Sequence, residues 1–493
     1  MNILKTRKMP DLAAHGPRII PILITIFIAC FMDGLDGSIL NSVLPSIAEA
    51  FDVSVSVVSW VPLAYLLTVA GTLLIFGKFA SHGHLKELFI VGILLFILGS
   101  FICSLAYSLA LVIAARVVQG LGGSMLLSCA SVISVKYLPE NVRGLAFGLI
   151  TVATFVGIAI GPLLGGLIST ALSWEWIFAI NVPVGLIGLI YAIVSLPADT
   201  PEKREQFDGI GALLLFLSML SGVFVLERLP KSGIDDPVFF TFLLVFAVSA
   251  VLFVIVSLKR KNPFFNLRIF KIKAVTAMIL GSVILQVVFA GIIYLLPFFI
   301  TNQYDADPVL RGVLLSIQPA VTALLGWVFG KWSDIRGRRV FCIAGCVLLV
   351  ALSGAFALLD GTYGLIPFII TLVTAGICFA MVSGPASGRI VDVTPKEEQE
   401  TAATIAVTCM YLSSVVGTAV FSAIFTRITA NNSGIFSFAD LPGEVFRLGF
   451  AGSMIFGAVL AAAAVILYVV VKEKKPAAGK CPGKNNPGEK SGN

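Results

Sequence analysis

Two aspartates, Asp33 and Asp36, lie three positions apart inside a long apolar segment near the start of the chain. At helical spacing they share one helix face, with an offset of about 4.5 Å along the axis. Two carboxylates this close, and partly removed from water, should not both ionise readily. A carboxylate that gains or loses a proton near neutral pH is what proton coupling across a membrane needs. The alternative is a pair of hydrated carboxylates in a cavity with no coupling role.

Arg116 is the only basic residue that lies well inside an apolar run of the sequence. Burying a charge in a membrane costs several kcal/mol, so such a residue persists where it is paired or lines a wet cavity. The alternative is that Arg116 only satisfies backbone carbonyl groups where two helices cross. Asp33, Asp36 and Arg116 are therefore the candidate proton-coupling residues.

The composition is that of a protein whose outer surface faces lipid. Hydrophobic residues make up 58% of the chain and charged residues 12%, whereas a soluble domain carries roughly 25% charged residues. The net charge of +7 comes from basic clusters between apolar runs and in the C-terminal tail, which is typical of membrane topology rather than of nucleic-acid binding. We expect the lipid bilayer and a small molecule as partners, and no nucleic acid.

Fourteen apolar runs are long enough to cross a membrane as helices, since a spanning helix needs about 20 mostly apolar residues. Their length and lack of alternation exclude a closed barrel. Most of the 34 lysine and arginine residues fall on one side when both termini are cytoplasmic. This predicts an all-α, multi-pass protein of the plasma membrane, with spans near 19–45, 57–80, 87–106, 109–135, 143–170, 175–196, 209–228, 238–258, 272–300, 309–332, 340–359, 364–388, 400–427 and 447–471.

Other reactive residue types do not form a catalytic or cofactor site in the sequence. Most of the eight cysteines lie in apolar runs and none forms a C-x-x-C pair, which is typical of small buried hydrophobic residues. The three histidines, His15, His82 and His84, lie outside these runs, which excludes a histidine proton relay inside the membrane. There is no Walker loop and no metal-ligand or nucleophile pattern. We expect no enzyme activity, no metal and no cofactor.

Two loops repeat one pattern, Phe76–Lys86 after the second run and Phe329–Arg339 after the tenth. Parallel halves related by an axis along the membrane normal are a known transporter plan, with the substrate site between them near the midplane. The simplest partition is a six-helix bundle, an inserted two-helix hairpin, a second six-helix bundle and a disordered cytoplasmic tail, at residues 1–200, 201–262, 263–472 and 473–493. We expect the hairpin to be a spacer or to face lipid.

The charged loop after the tenth span resembles the major facilitator superfamily signature G-x-x-x-D-x-x-G-R-R/K, through Gly330, Asp334, Arg336, Arg338 and Arg339. The resemblance implies a charge latch, in which an acid at a helix end holds basic groups of a neighbouring helix and releases them on a change of state. The corresponding first-half loop has Ser81 where the family usually has aspartate, so its role as a latch stays open. Simple anchoring by positive charge is the alternative reading of these loops.

The fifth span has the glycine spacing of the motif associated with antiporters in this family, through Gly148, Gly157, Gly161, Pro162, Gly165 and Gly166. Such spacing makes a smooth face on which a neighbouring helix can slide, and a proline permits a bend. The resemblance implies that these residues take part in the conformational switch. Helix packing alone is the alternative.

The first span is similar to the motif L-D-x-T-I-V-N-x-A-L-P of the fourteen-helix branch of drug:proton antiporters, with Asp36, Asn41 and Pro45 at its landmarks. The fourth span resembles the family motif R-x-x-Q-G through Arg116 and Gln119. Because the first and fourth helices are neighbours in that fold, the resemblance implies an Asp36–Arg116 interaction. Proton loading of Asp36 or Asp33 would weaken this pairing and alter the balance between inward- and outward-facing states.

The predicted function is secondary active efflux of hydrophobic or cationic small molecules in exchange for protons, with the proton gradient as energy source and a monomer as the functional unit. Aromatic and polar residues within spans are candidates to line a substrate cavity: Asn41, Trp60, Tyr65, Gln119, Gln286, Tyr294, Gln318 and Tyr411. Two alternatives stay open: an exporter of a specific physiological solute or lipid, and a receptor or scaffold that kept the fold without transport.

Overall fold

A computed structural model describes residues 19–81, 84–197, 208–232, 236–260, 267–393, 399–435 and 437–470. Within these ranges the regular structure is helical throughout. The α-helices are α1 (Ile19–Ala50), α2 (Val55–Val58), α3 (Trp60–Ser81), α4 (Leu85–Ser104), α5 (Leu109–Lys136), α6 (Glu140–Ala171), α7 (Trp176–Ala179), α8 (Asn181–Ser195), α9 (Gly209–Ser232), α10 (Pro237–Lys259), α11 (Lys273–Tyr304), α12 (Pro308–Arg336), α13 (Arg338–Leu358), α14 (Leu365–Val393), α15 (Gln399–Ser433) and α16 (Gly443–Val470).

These helices supply fourteen candidate membrane spans within the described ranges, in which α2 with α3, and α7 with α8, each make one span. A helix satisfies every backbone polar group within its own segment, which is what lipid demands. The predicted fold class, an all-α polytopic membrane protein with fourteen spans, is confirmed. We call the end of the bundle at which α1 ends and α12 begins the distal end.

The helices extend beyond the predicted apolar runs at several distal ends. Helix α15 continues to Ser433 and α16 begins at Gly443, so the loop predicted at 428–446 is shorter than expected. Helix α15 ends where Gly434 adopts φ +70° and its N–H donates to the carbonyl oxygen of Ala430. A glycine in the left-handed conformation is a common helix terminator because it has no Cβ. Hydropathy marks the apolar middle of a span but not its cap.

The spans pack as two groups of six with α9 and α10 between them in the chain. In the first group α1 lies along α6, and α5 contacts both α3 and α4; in the second, α12 lies along α14, and α16 contacts α13. The groups meet where α6 contacts α12 and where α3 contacts α15. The exact division at 1–200, 201–262 and 263–472 stays a prediction, because the residues at its boundaries and the tail at 473–493 lie outside the described ranges.

The two helices of the inserted hairpin differ, and only α10 behaves as the lipid-facing helix that the sequence predicted. Helix α10 exposes most of its apolar side chains, as a lipid-facing helix does, but α9 packs against both α3 and α15 and so touches both groups of spans. On α3, Gly71 leaves room for the ring of Phe216, and Trp60 packs against Phe224 at a ring-centroid distance of 4.6 Å. Helix α9 is therefore a structural bridge at the α3–α15 contact.

The glycines of α6 form the contact surface for α1. A Cβ added at Gly157 would lie 2.6 Å from the backbone nitrogen of Leu35 and 2.6 Å from the carbonyl oxygen of Phe31. Cβ atoms at Gly161 and Gly165 would overlap the hydroxyl oxygens of Ser38 and Ser42. Close backbone approach of this kind is how small residues pack helices in lipid. It fixes α1, which carries both candidate aspartates.

We predict that Gly157→Ala destabilises the protein, whereas Gly148→Ala does not. The new methyl group at Gly157 must push α1 away, and overpacking of this kind costs about 1–3 kcal/mol. Gly148 belongs to the same sequence motif but has nothing within 4 Å of an added Cβ, so alanine there should be neutral or slightly stabilising. Thermal unfolding of the two purified variants in detergent measures the difference. Equal melting temperatures would contradict this account of the α1–α6 contact.

Candidate functional site

A network of buried hydrogen bonds surrounds Asp36, which is 1% exposed. Its Oδ2 accepts a hydrogen bond from Nη1 of Arg116 at 2.5 Å. Its Oδ1 accepts from Nε2 of Gln119 at 2.7 Å and from Nδ2 of Asn181 at 2.9 Å. Charge-assisted hydrogen bonds are roughly twice as strong as neutral ones. Three donors from two other spans therefore hold this carboxylate in one position.

Arg116 is equally buried, at 1% exposure, and is satisfied on several sides. Besides Asp36, its Nη1 donates to Oε1 of Gln119 at 2.7 Å, and its Nε donates to the carbonyl oxygen of Val61 at 3.3 Å. Its guanidinium carbon lies 4.4 Å from the ring centroid of Tyr65, which is cation–π distance. The expected Asp36–Arg116 contact is present, so Arg116 does more than satisfy backbone carbonyl groups.

All members of this network come from the first six spans: Asp36 from α1, Arg116 and Gln119 from α5, Asn181 from α8, and Ser100 of α4, whose hydroxyl accepts from Nε2 of Gln119 at 2.8 Å. The two groups of spans can therefore move relative to each other without breaking the ion pair. This bears on the hypothesis that loosening of Asp36–Arg116 shifts the transport states, because the pair does not itself cross between the groups.

Asn181 is the member of the network that sequence reasoning missed. It is the first residue of α8 and is fully buried. Its Oδ1 has no hydrogen-bond partner among the described residues. The available signal was an asparagine in the middle of an apolar run, 175–196, but a neutral amide does not reveal its partner.

Asp33 has a different environment from Asp36, although the two share a helix face. Its Oδ1 accepts a hydrogen bond from the hydroxyl of Tyr65 at 2.7 Å, and the hydroxyl of Tyr411 also interacts with this carboxylate. Asp33 is half-buried and lines the central cavity. No cation lies within 4 Å of it among the described residues. Asp36 is fixed, whereas Asp33 is open to whatever occupies the cavity.

The cavity has a volume of about 300 Å³ and lies between the two groups of spans. Six of the eight predicted substrate-binding residues line it: Asn41, Tyr65, Gln286, Tyr294, Gln318 and Tyr411. The first two come from the first group and the other four from the second. This is where a solute that moves between the halves of such a protein would sit.

Two predicted substrate-binding residues do not line the cavity. Trp60 is half-buried and packs against Phe224 of α9. Gln119 is fully buried in the Asp36 network, where its amide bridges Asp36 and Ser100. The cavity wall instead includes small polar residues that the sequence did not single out, namely Ser38, Thr154, Ser414 and Thr418.

The amide side chains in the cavity are tied to the wall by weak hydrogen bonds. Nε2 of Gln286 donates to the hydroxyl of Ser414 at 3.2 Å, and Nε2 of Gln318 donates to that of Thr322 at 3.2 Å. Neutral bonds of this length are readily exchanged for bonds to a ligand. These amides can therefore offer donors and acceptors to a bound solute.

The predicted switch residues divide into an α6 set and a loop set. In the α6 set, Gly157, Gly161 and Gly165 face α1, whereas Pro162 and Gly166 face α12, where a Cβ at Gly166 would overlap the carbonyl oxygen of Pro308. Gly148 faces open space. The α6 segment thus contacts its own group on one face and the other group on a second.

The loop set lies at the end opposite to the distal end. Arg339 donates from Nε to the carbonyl oxygen of Tyr468 at 3.1 Å and from Nη2 to that of Val469 at 2.5 Å, and so caps α16. Arg336 is exposed and Arg338 is half-buried. The carbonyl of Gly330 accepts from the Ser333 hydroxyl at 2.7 Å. The side chains of Asp334 and Ser81 lie outside the described part of the chain, so the charge latch stays a prediction.

Metal ligation finds no support in the described ranges, in which no three His, Cys, Asp or Glu side chains are arranged to hold an ion. The seven described cysteines form no disulfide with one another, and six of them are buried. Hydrogen-bonding groups, aromatic rings and the charged side chains of Asp33 and Arg116 line the cavity.

The sequence matches the family model of the Major Facilitator Superfamily over residues 26–418, with a second match over residues 278–487. It is 30% identical over 411 residues to the riboflavin transporter RibZ of Clostridioides difficile (strain 630), covering 83% of this chain and 89% of RibZ. It is 30% identical over 347 residues to the putative multidrug resistance protein MdtD of Escherichia coli O139:H28, covering 69% of this chain and 73% of MdtD.

Solved structures with the same fold include an inward-facing, unoccupied bacterial homologue of the human lysosomal transporter Spinster, with a TM-score of 0.66 and 14% identity, covering 92% of this chain and 97% of that one. A D-xylose–proton symporter has a TM-score of 0.65 and 16% identity, covering 93% of this chain and 99% of that one. At such identities the likeness concerns the fold alone.

We predict that Arg116→Met is strongly destabilising and that adding Asp36→Leu recovers part of the loss. The single variant leaves a buried carboxylate without its counter-charge, which costs about 3–5 kcal/mol, whereas replacing both partners by apolar residues removes the charge burial as well. Thermal unfolding of the two single variants and the double variant measures the coupling between the residues. Simple additivity of the single effects would contradict an energetically coupled pair.

Proposed function

The chain belongs to the Major Facilitator Superfamily and is a multi-pass membrane transporter rather than an enzyme, and from this premise we propose that it exports hydrophobic or cationic small molecules in exchange for protons. The observation that carries the proposal is the environment of Asp33. Among the described residues that line the cavity it is the one acid. Arg116 in the same wall is paired with Asp36, and no cation of a described residue lies within 4 Å of Asp33.

In the proposed cycle, Asp33 takes up a proton when the cavity opens to the side of higher proton concentration. Protonation removes its negative charge and turns one carboxylate oxygen into a donor, so the contacts with the Tyr65 and Tyr411 hydroxyls must rearrange. A cationic solute bound near Asp33 loses its counter-charge in the same step and is released. Loss of the proton on the other side restores the site for the next solute, which makes the two transport steps alternate.

Asp36 has a structural part in this proposal. Its carboxylate accepts hydrogen bonds from three donors and forms a buried ion pair with Arg116. Breaking one partner of such a pair is costly, so we assign Asp36 to holding Arg116 in place throughout the cycle. The pair then holds α1 against α5 and α8 while the cavity changes its exposure. Asp33 is thus the residue we assign to proton coupling, with Asp36 and Arg116 as its support.

The proposed cargo is a planar, amphipathic molecule with at most one positive charge. Tyrosine rings offer stacking and cation–π contact, and the amides of Asn41, Gln286 and Gln318 offer hydrogen bonds at the rim of an apolar body. The similarity to the putative multidrug resistance protein MdtD supports this class of cargo. A monomer suffices, since the cavity is complete within one chain.

A second candidate is export of a specific neutral heteroaromatic solute such as a flavin. The match to the riboflavin transporter RibZ covers more of this chain than the match to MdtD. A flavin ring is planar and carries carbonyl and N–H groups along one edge, which the three cavity amides could recognise without using the charge of Asp33.

We propose that the termini face the cytoplasm of a cell whose plasma membrane holds the protein. The distribution of lysine and arginine between the loops supports this orientation. The distal end then faces outward, and the many contacts between the two groups at that end correspond to a state closed to the outside.

We predict that Asp33→Asn abolishes uphill export driven by a pH gradient but leaves exchange of solute across the membrane at equal pH. Asparagine keeps the shape and hydrogen bonding but cannot carry the proton, so coupling is lost by a factor of ten or more while binding survives for an uncharged solute. Flux into proteoliposomes, measured with and without an imposed pH gradient, distinguishes gradient-driven transport from exchange at equal pH. Asp33→Glu, which keeps the acid, is the matched control, and unchanged gradient-driven flux in Asp33→Asn would rule out the proposed role.

The two candidate cargo classes can be distinguished by mutation, because export of each class should depend on a different cavity residue. In a host that lacks its own efflux pumps, a cationic dye should be exported by the wild type and by Asn41→Ala but not by Asp33→Asn. A flavin should show the opposite pattern, with the larger loss in Asn41→Ala, because each lost hydrogen bond to a buried ligand costs about 1–3 kcal/mol. Export of neither, with a ligand-dependent rise in melting temperature, would favour a receptor instead.

A further inference from the structure

Arg311 is a second buried arginine, and it lies at the distal end where the two groups of spans meet. It is in the first turns of α12 and is 2% exposed. Its Nε donates to the carbonyl oxygen of Ser42 at 2.5 Å and its Nη2 to the hydroxyl of Ser46 at 3.0 Å, both on α1. Its Nη1 donates to the hydroxyl of Thr301 on α11 at 2.6 Å. One guanidinium thus joins α1 of the first group to α11 and α12 of the second.

The three acceptors of Arg311 are all neutral. No carboxylate oxygen of a described residue lies within 4 Å of its nitrogens, and Glu49 and Asp307 act on it only from a longer distance. A guanidinium in such a place loses its hydration without gaining a counter-charge, which makes its burial expensive. Arg116, in contrast, is paired with Asp36. Three neutral hydrogen-bond acceptors and two more distant carboxylates therefore surround the charge of Arg311, in place of a direct ion pair.

Other contacts at the distal end also join the first and second groups of spans. A Cβ at Gly312 would overlap the carbonyl oxygen of Pro162, so the first turns of α12 rest directly on the backbone of α6. The hydroxyl of Tyr294 donates to the carbonyl oxygen of Val55. We call this set of contacts the distal seam. An opening of the cavity at this end has to separate these residues.

We propose that Arg311 is the latch of the distal seam, which closes the cavity at this end and opens by release of its guanidinium into water. In the closed state two charge-assisted hydrogen bonds hold α1, and the fork of the guanidinium fixes their direction. In the open state Arg311 recovers its hydration, which offsets the lost bonds. Two states of similar free energy are what a gate that opens and closes in every cycle requires.

The latch acts on the helix that carries the cavity acid. Ser42 follows Asn41, which lines the cavity, and both lie on α1 with Asp33. Movement of α1 away from Arg311 therefore changes the distal seam and the cavity wall together. This role goes beyond the proposed function, because it depends neither on the cargo nor on the proton.

The test measures how often the cavity opens at the distal end. In a variant whose eight cysteines are replaced, Ala290→Cys places one thiol in the cavity wall. A membrane-impermeant maleimide is applied separately to intact cells and to inverted vesicles. Leu358→Cys, at the exposed distal end of α13, identifies in a parallel sample which face is distal. The rate of labelling at Ala290→Cys from that face reports the open population.

We expect Arg311→Gln to raise this labelling rate about tenfold. This corresponds to a latch that shifts the equilibrium between the open and closed states about tenfold towards the closed state. Arg311→Lys, which keeps the charge but cannot form the fork, should give a smaller rise. Arg447→Gln is the matched control, because it removes an exposed distal arginine outside the seam. Equal labelling in Arg311→Gln and Arg447→Gln would overturn the proposal.

Ser46→Ala keeps the test decisive if Arg311→Gln does not fold, which gel filtration of the detergent extract would reveal. It removes one acceptor and leaves the arginine in place, so labelling from the distal face should rise about twofold or more. In the double variant Arg311→Gln with Ser46→Ala, the serine substitution should add nothing. No rise in Ser46→Ala, or full additivity in the double variant, would count against the latch.

Discussion

The need to neutralise Asp36 inside a membrane organises the first six spans. Its carboxylate lies where water cannot reach it, so its charge and its lone pairs must be satisfied by the protein. Arg116 supplies the charge, and Gln119 and Asn181 supply the remaining donors. Because these residues come from α5 and α8, the network fixes α1 against both helices, and with Ser100 it reaches α4 as well. The network thus ties α1, α4, α5 and α8 together within the first group of spans.

This constraint explains why two aspartates three positions apart have separate roles. Arg116, Gln119 and Asn181 all donate to Asp36. Among the described residues, Asp33, one turn earlier, contacts the tyrosine hydroxyls and lines the cavity. The separation is not a property of the aspartates or of their spacing. It comes from what the neighbouring helices place opposite them, and it leaves one acid in contact with the cavity.

The sequence was a good guide to the fold and to the charged residues, and a poorer guide to the neutral ones. Lipid imposes a length and an apolar composition on every span, and the basic loops mark the side on which each span ends, so the fourteen spans could be predicted. Asp33, Asp36 and Arg116 stood out because a charge inside an apolar run is costly and therefore rare. Helix ends such as that of α15 at Ser433 depend on a local cap at Gly434, which hydropathy does not register.

Neutral polar residues were harder to assign because an amide or a hydroxyl bonds equally well to a charge, to the backbone or to a ligand. Gln119 was expected in the cavity but bonds to Asp36, and Asn181 was not singled out although it does the same. Trp60 was expected in the cavity but packs on the inserted helix α9, whose position no sequence motif specifies. Arg311 lies close to the predicted start of its span at 309, where a basic residue is typical of a loop, and its position in the sequence did not single it out. Only the neighbouring helices distinguish these cases.

Helix α6 shows why packing and conformational change were not separable alternatives for its glycines. Gly157, Gly161 and Gly165 let α1 approach within the first group, whereas Gly166 lets the first turn of α12 approach from the second group. The α1 face belongs to a unit that the Asp36 network holds together, so it has no reason to separate. The α12 face lies in the distal seam beside Arg311 and must separate for the cavity to open there. A single run of small residues therefore packs both a permanent contact and a transient one. The buried charges on either side of this run determine which contact is permanent. At the permanent contact Arg116 is paired with Asp36, whereas at the contact that has to be released Arg311 has no ion-pair partner among the described residues.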